Sequence, residues 1–184
     1  MKQRTVLVTC VDKYMGRAIV DRLTELDFRV LTDTQALVEQ SQCEELVRSV
    51  GEVDILIANL AEPPRSSPVQ AIQNEDWTTL FSTLVDPLMF LVRAITPQML
   101  DRQSGKIIAV TSAAPLKGLA NNASYCAARG AQNAFIKAVG LELARSNIQV
   151  NAIAQNYINN STYYPSRLLD DEKFLDHVRR NVPT

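Results

Sequence analysis

No basic block runs through this chain of 184 residues, and no apolar run reaches the 18 residues that would suggest a membrane span. Nineteen Lys and Arg are spread among 20 Asp and Glu, for a net charge of −1. A surface that grips a phosphate backbone needs clustered cations, so nucleic acid is not an expected partner. The three cysteines, Cys10, Cys43 and Cys126, lack the spacing of a disulfide framework. Cys10 and Cys126 sit among apolar or small residues and read as inert core thiols, which fits a reducing cytoplasm. At the N-terminus the apolar run Thr5-Val6-Leu7-Val8 is short and is followed by Asp12 and Lys13. That is a first strand rather than a targeting segment, and no membrane association is expected.

What is present suits one well-filled core: 46% of the residues are apolar. There is no internal repeat and no second domain, so residues 1–184 read as one domain. Strand-like and helix-like segments alternate. Thr5 to Cys10 is β-rich, and Gly16 to Leu26 has helical spacing with Ile19, Val20, Leu23 and Leu26 on one face. Phe28 to Thr32 reads as a strand, Cys43 to Val50 as a helix stopping at Gly51, and Asp54 to Ala58 as a strand covered on both faces. A turn-rich loop, Glu62 to Pro68, precedes a mainly helical stretch from Asp76 to Arg102, interrupted or bent near Pro87 and Pro97. Lys106 to Thr111 is a strand, Ser124 to Arg145 a long helix, Gln149 to Ala154 a strand, and Asp170 to Arg180 a short helix. The expected class is α/β: a doubly wound parallel sheet with crossover helices on both faces.

Such a sheet places ligands beyond the carboxyl ends of its strands. Four stretches converge there: the loop after the first strand, Asn59, Ser112, and Gln155-Asn156-Tyr157. Tyr125 and Arg129 are four apart on the long helix and share a face. A free tyrosine has a pKa of about 10. A guanidinium fixed beside it favours the phenolate, which can then serve as a general base, while a serine at a strand end orients a substrate oxygen. A helical Tyr/Arg pair alone is more often structural, and Ser112 alone is more often a turn residue; the strand-end context favours a catalytic trio.

The first loop points the other way from a nucleotide site. It reads Thr9-Cys10-Val11-Asp12-Lys13-Tyr14-Met15-Gly16. A pyrophosphate-binding loop uses glycines so that its backbone can approach the phosphates, and Cys10 and Tyr14 put side chains where that space is needed. Gly16 still permits close helix–strand contact. Asp33 could hold a ribose hydroxyl and is equally a surface turn residue.

On these residues the chain resembles the short-chain dehydrogenase/reductase superfamily over nearly its whole length, which implies a Rossmann-like fold. The superfamily carries a Thr-Gly-x-x-x-Gly-x-Gly loop, an Asn-Asn-Ala-Gly turn, a Ser with Tyr-x-x-x-Lys, and a Pro-Gly turn. The corresponding stretches are Thr9 to Gly16, Ala58-Asn59-Leu60-Ala61, Ser112 with Tyr125-Cys126-Ala127-Ala128-Arg129, and Gln155-Asn156. Arg129 stands where the dehydrogenases keep a lysine that also binds the nicotinamide ribose. The departures are similar to those of one branch, the halohydrin dehalogenases. These are cofactor-free and carry Ser, then Tyr thirteen residues on, then Arg four further, with an aromatic in the first loop.

That resemblance implies catalytic roles for Ser112, Tyr125 and Arg129. It also implies a halide and substrate site built from Tyr14, Gln155, Asn156, Tyr157, Ile158 and Tyr164, with neither cofactor nor metal. Leu116 to Asn122 and Ile158 to Pro165 are expected to line the substrate pocket. The partners would be vicinal halohydrins or epoxides and halide. Azide, cyanide or nitrite would serve as anions in the reverse direction. A homotetramer or homodimer would form through the long helices spanning Trp77 to Arg102 and Tyr125 to Arg145. Related chains run on for a further helix and strand, so the sequence reads either as C-terminally truncated or as a naturally short form, with a sheet edge left open if that strand is absent. Two alternatives stay open: an NAD(P)-dependent alcohol or ketone oxidoreductase, and a non-catalytic relative acting in binding or assembly.

Overall fold

The sheet is built from β1 (Thr5–Val8), β2 (Arg29–Thr32), β3 (Ile55–Asn59), β4 (Gly105–Ser112) and β5 (Ile148–Gln155). All pairings are parallel, in the order β2-β1-β3-β4-β5. The structure is a computed structural model that describes residues 3–160, 164 and 166–182. Around the sheet run α1 (Gly16–Glu25), α2 (Gln40–Val50), α3 (Asn74–Leu80), a π-helical turn (Phe81–Val85) and α4 (Asp86–Asp101). They are followed by α5 (Ala114–Lys117), α6 (Ala123–Leu143), α7 (Ser166–Leu169) and α8 (Glu172–Asn181).

Alternation along the strands divides the core. Leu7, Leu56, Ala58, Ile107 and Ala109 face one side, where residues of α2, α4 and α6 cover them. Val6, Val8, Ile55, Ile57 and Val110 face the other, against Ile19, Val20 and Leu23 of α1. Strands buried on both faces need apolar residues at successive positions, which is the doubly wound pattern the sequence carries. The strand order reverses between β1 and β3, and this switch point opens the crevice in which such sheets bind ligands.

Three local features differ from the sequence expectation. Helix α2 starts at Gln40 rather than at Cys43, because Glu39 caps it and the Gln42 side chain accepts from the Glu39 N–H at 2.9 Å in a reciprocal box. The expected interruption near Pro87 is the π-helical turn just ahead of it. Pro97 lies inside α4 without ending it. A wide turn absorbs backbone that a proline would otherwise break. The run Asn74–Asp101 is long and apolar enough by length and composition to cross a membrane. Here it is a core helix, with Leu80, Leu84, Leu88, Leu91, Ile95 and Met99 buried.

Among the described residues, β5 is the outer strand on its side, and its central residues Asn151 to Ala154 are exposed.

Candidate active site

Asn59, fully buried at the end of β3, holds the first loop in place. Its Nδ2 donates to the carbonyls of Cys10 and Lys13, each at 3.0 Å, and its backbone N–H donates to Thr9 Oγ1 at 3.1 Å. The loop keeps the backbone shape that glycines would allow. Cys10 and Tyr14 have φ of 49° and 60°, left-handed values that cost a side-chain-bearing residue about 1–2 kcal/mol each. Gly16 cannot be replaced, since a Cβ there would lie 2.4 Å from the Cα of Val11. Asn59→Asp keeps the side-chain shape but removes both donors and sets a carboxylate against two carbonyls. It is expected to lower stability by about 1–3 kcal/mol, read from the denaturant midpoint.

The loop's side chains go in two directions. The Cys10 thiol turns towards β2, 3.9 Å from the Gln35 carbonyl, and burial together with Asp33 pushes its pKa up to about 11. Cys43 is raised to about 11 for the same leading reason, and all three cysteines are free. Thiols held this far into the protonated range are poor nucleophiles at neutral pH. Tyr14 turns the other way, with its ring 5.9 Å from the Arg129 guanidinium carbon. Burial, the largest influence, raises the Tyr14 pKa despite that cation, so its ring is a neutral wall.

Ser112 closes β4, and Tyr125 and Arg129 lie on the buried face of α6. Arg129 is fully buried. Its Nε donates to the Tyr125 hydroxyl oxygen at 3.2 Å. Its Nη1 donates to the carbonyls of Leu60 and Val110 at 3.2 and 3.4 Å, and to Gln132 Oε1 at 2.9 Å. A guanidinium satisfies such divergent acceptors because its donors form a rigid planar fork. The Ser112 Oγ accepts from the Ala114 N–H at 3.1 Å, which fixes its direction at the start of α5.

A cavity of about 120 Å³ lies at this end of the sheet, lined by Ser112, Tyr125, Tyr14, Asn156, Tyr157 and Tyr164, with Pro64, Ala114 and Leu119 completing the wall. Arg129 stands behind Tyr125. Two residues named from the sequence do not reach this space. The Gln155 side chain turns back to the sheet and donates to the Thr111 carbonyl at 3.4 Å, while the Gln155 backbone carbonyl accepts from the Ala113 N–H. A strand residue paired with Ser112 in register is held by the ladder rather than released to the pocket. Ile158 lines a neighbouring cavity instead. Of the expected substrate loops, Leu119 reaches the site whereas Leu116 lies by a groove near α6 and β5. Ser161, Thr162, Tyr163 and Pro165 lie outside the described residues.

Four contributors stand outside the residues expected from the sequence: Gln132, Asn133, Pro64 and Ala114. Gln132 relays Arg129 to the π-helical turn by donating to the Leu84 carbonyl at 2.6 Å. Asn133 donates to the Ser112 carbonyl at 3.1 Å. Both follow Arg129 on one helix, at three and four residues, and that spacing was a readable signal. Pro64, in the turn-rich loop, carried no signal that would have placed it here.

Residues 31–168 match the model of the short chain dehydrogenase family. The chain belongs to that family. It is 31% identical over 153 residues to a gluconate 5-dehydrogenase of Gluconobacter oxydans, an alignment covering 83% of this chain and 58% of that protein. The chain thus spans little more than half the length of the curated relatives it first matches. Its fold is also that of solved dehalogenating enzymes. One, described as a dehalogenation enzyme, has a TM-score of 0.90 at 27% identity, with 99% of this chain and 84% of that chain covered. Another is a halohydrin dehalogenase bound to ethyl (2S)-oxiran-2-ylacetate, with a TM-score of 0.85 at 29% identity and coverage of 95% and 80%.

Proposed function

We propose that this enzyme of the short-chain dehydrogenase family is a cofactor-independent halohydrin dehalogenase, working in the cytoplasm on small organic substrates. The observation that carries the reading is the pairing of a buried Arg129–Tyr125 contact with a tyrosine ring, Tyr14, projecting into the space beside it. In the forward reaction Ser112 and Tyr125 hold the hydroxyl of a vicinal halohydrin. Tyr125 takes the proton while that oxygen attacks the neighbouring carbon. The C–O bond forms as the carbon–halogen bond breaks, giving an epoxide, a halide ion and a proton that leaves through Tyr125 to solvent. Arg129, donating to the phenolic oxygen, compensates the charge there between turnovers. Because attacking and leaving groups belong to one molecule, the protein's main task is orientation.

Departing halide is received between Tyr14, Asn156 and Tyr157, with backbone N–H groups of the segment after β5 as the anion donors. In reverse, Tyr125 protonates the epoxide oxygen as an anion opens the ring. The active form is a homodimer or homotetramer.

A second reading, a nicotinamide-dependent oxidoreductase, is favoured by the curated relatives. Most are dehydrogenases and reductases by name, and taken alone they support it better than the first. The residues here fit that cofactor poorly. The first loop has Cys10 and Tyr14 in place of small residues, and Arg129 Nε and Nη1 are directed at Tyr125, Leu60, Val110 and Gln132. Asp33 is buried and accepts from the Gln35 N–H at 3.1 Å. Fluorescence titration with NADH and NADPH separates the two. The expected result is no saturable binding at millimolar nucleotide, whereas micromolar binding would transfer the assignment to the second reading.

A further inference from the structure

Gln132 joins the Arg129–Tyr125 pair to the π-helical turn. It is buried, 1% exposed, beside a guanidinium that is itself fully buried. Its Oε1 accepts from Arg129 Nη1 at 2.9 Å, and its Nε2 donates to the Leu84 carbonyl at 2.6 Å. Leu84 lies in the π-helical turn Phe81–Val85, a widened turn of the kind that recurs at functional sites. The chemistry at both ends dictates the side chain between them. A guanidinium only donates and a carbonyl only accepts, so the link needs one group that accepts on one side and donates on the other. A neutral amide does both. A carboxylate, which only accepts, would fail at Leu84, and an apolar side chain of the same length would serve neither end.

We infer that Gln132 is a positioning residue for the base: it holds the Arg129 guanidinium against the Tyr125 hydroxyl and, being neutral, adds no counter-charge to it. The inference rests on the dehalogenase reading only for the reaction that Tyr125 serves. Arg129 donates from two nitrogens, Nε to Tyr125 and Nη1 to Leu60, Val110 and Gln132. The fork is rigid and planar, so fixing Nη1 fixes where Nε points. Of the three Nη1 contacts, that to Gln132 is the shortest, at 2.9 Å against 3.2 and 3.4 Å, and the bond to Leu84 keeps this acceptor in place. A carboxylate at the same position would pair with the buried guanidinium and weaken what the cation does for the phenolic oxygen. The titratable neighbours of the pair are Tyr14 from the first loop and Tyr164 from the segment after β5. The chain after β3, strand β4 and the π-helical turn meet Arg129 and Gln132 with the carbonyls of Leu60, Val110 and Leu84. Neither tyrosine changes when residue 132 is replaced, so a shift in Tyr125 reports on Gln132.

The test compares Gln132→Glu and Gln132→Met in the full chain. Both replacements are close to glutamine in length, and both are checked by circular dichroism, so that one folded variant suffices. The first arm needs no turnover. Tyrosines isotope-labelled at ring Cζ are followed by NMR against pH, and the Tyr125 signal is the one absent from Tyr125→Phe. The expected result is a Tyr125 signal that titrates at higher pH than in wild type. In Gln132→Glu the introduced carboxylate takes up the charge; in Gln132→Met the fork is held less firmly. An upward move in either folded variant supports the inference. A signal that titrates at the wild-type pH in both overturns it, since a side chain that only fills space would leave the titration alone. The second arm is chloride release from 1-chloro-2-propanol. At neutral pH kcat is expected to fall about tenfold for each pH unit by which the titration moves, and to recover at higher pH. KM should change little, as for an interaction that serves the transition state. A fall that is the same at every pH is a structural effect and overturns the positioning role while leaving dehalogenation standing. A Tyr125 titration that moves in a protein releasing no chloride supports the role of Gln132 and overturns the dehalogenase reading.

Discussion

Tyr125→Phe is expected to reduce halide release by about 10²–10⁴-fold while the protein stays folded. The substitution removes one oxygen from a residue that is 5% exposed and leaves the ring packing intact. What is lost is the only atom of that side chain able to accept and return a proton. Arg129 Nε loses its acceptor, at a cost to stability on the order of 1–3 kcal/mol. Chloride release measured beside far-ultraviolet circular dichroism distinguishes chemistry from unfolding. Normal turnover by the folded variant contradicts the assigned role.

Arg129→Lys should fail for a different reason. A lysine would keep the charge and lose the fork. One guanidinium nitrogen, Nη1, meets the carbonyls following β3 and within β4 while another, Nε, meets Tyr125 on its own helix, and an ammonium, with a single nitrogen, cannot stand at both places. Turnover at neutral pH is expected to fall by about 10²–10³-fold, the scale seen when a fixed donor to a charged oxygen is removed. Stability should fall as well, by about 1–3 kcal/mol for each buried carbonyl left unsatisfied. A variant with near-normal turnover would show that any cation at that place suffices.

Much of this was legible beforehand for a physical reason. Strands such as Ile55-Leu56-Ile57 announce burial on both faces, and parallel order follows from the helices between them. The ends of those strands must then meet at one crevice, which is how Asn59, Ser112 and Asn156 could be grouped from distant parts of the chain. The i, i+4 spacing of Tyr125 and Arg129 set their hydrogen bond. Other features were hidden because they depend on which way a side chain turns. Gln155 and Asn156 are adjacent, yet only Asn156 lines the cavity beside Ser112 and Tyr125, and the register with Ser112 decides that. Likewise Ile158 faces the neighbouring cavity, and nothing in the order of residues after β5 distinguishes the two spaces. Pro64 enters the site because of a loop path that no periodicity encodes.

The first loop shows both limits together. Its lost glycines could be seen in the sequence. That the loop would keep left-handed residues at Cys10 and Tyr14, tied down by Asn59, could not, because those contacts join segments some 50 residues apart.

The most direct test of the whole account is chloride release from 1-chloro-2-propanol by nucleotide-stripped protein, with the epoxide product quantified and the reaction repeated with added NAD(H) or NADP(H). The account predicts chloride and propylene oxide in equal amounts at a rate that neither nucleotide changes. It is contradicted by protein that releases no chloride under any of these conditions yet oxidises NADH or NADPH when given a ketone.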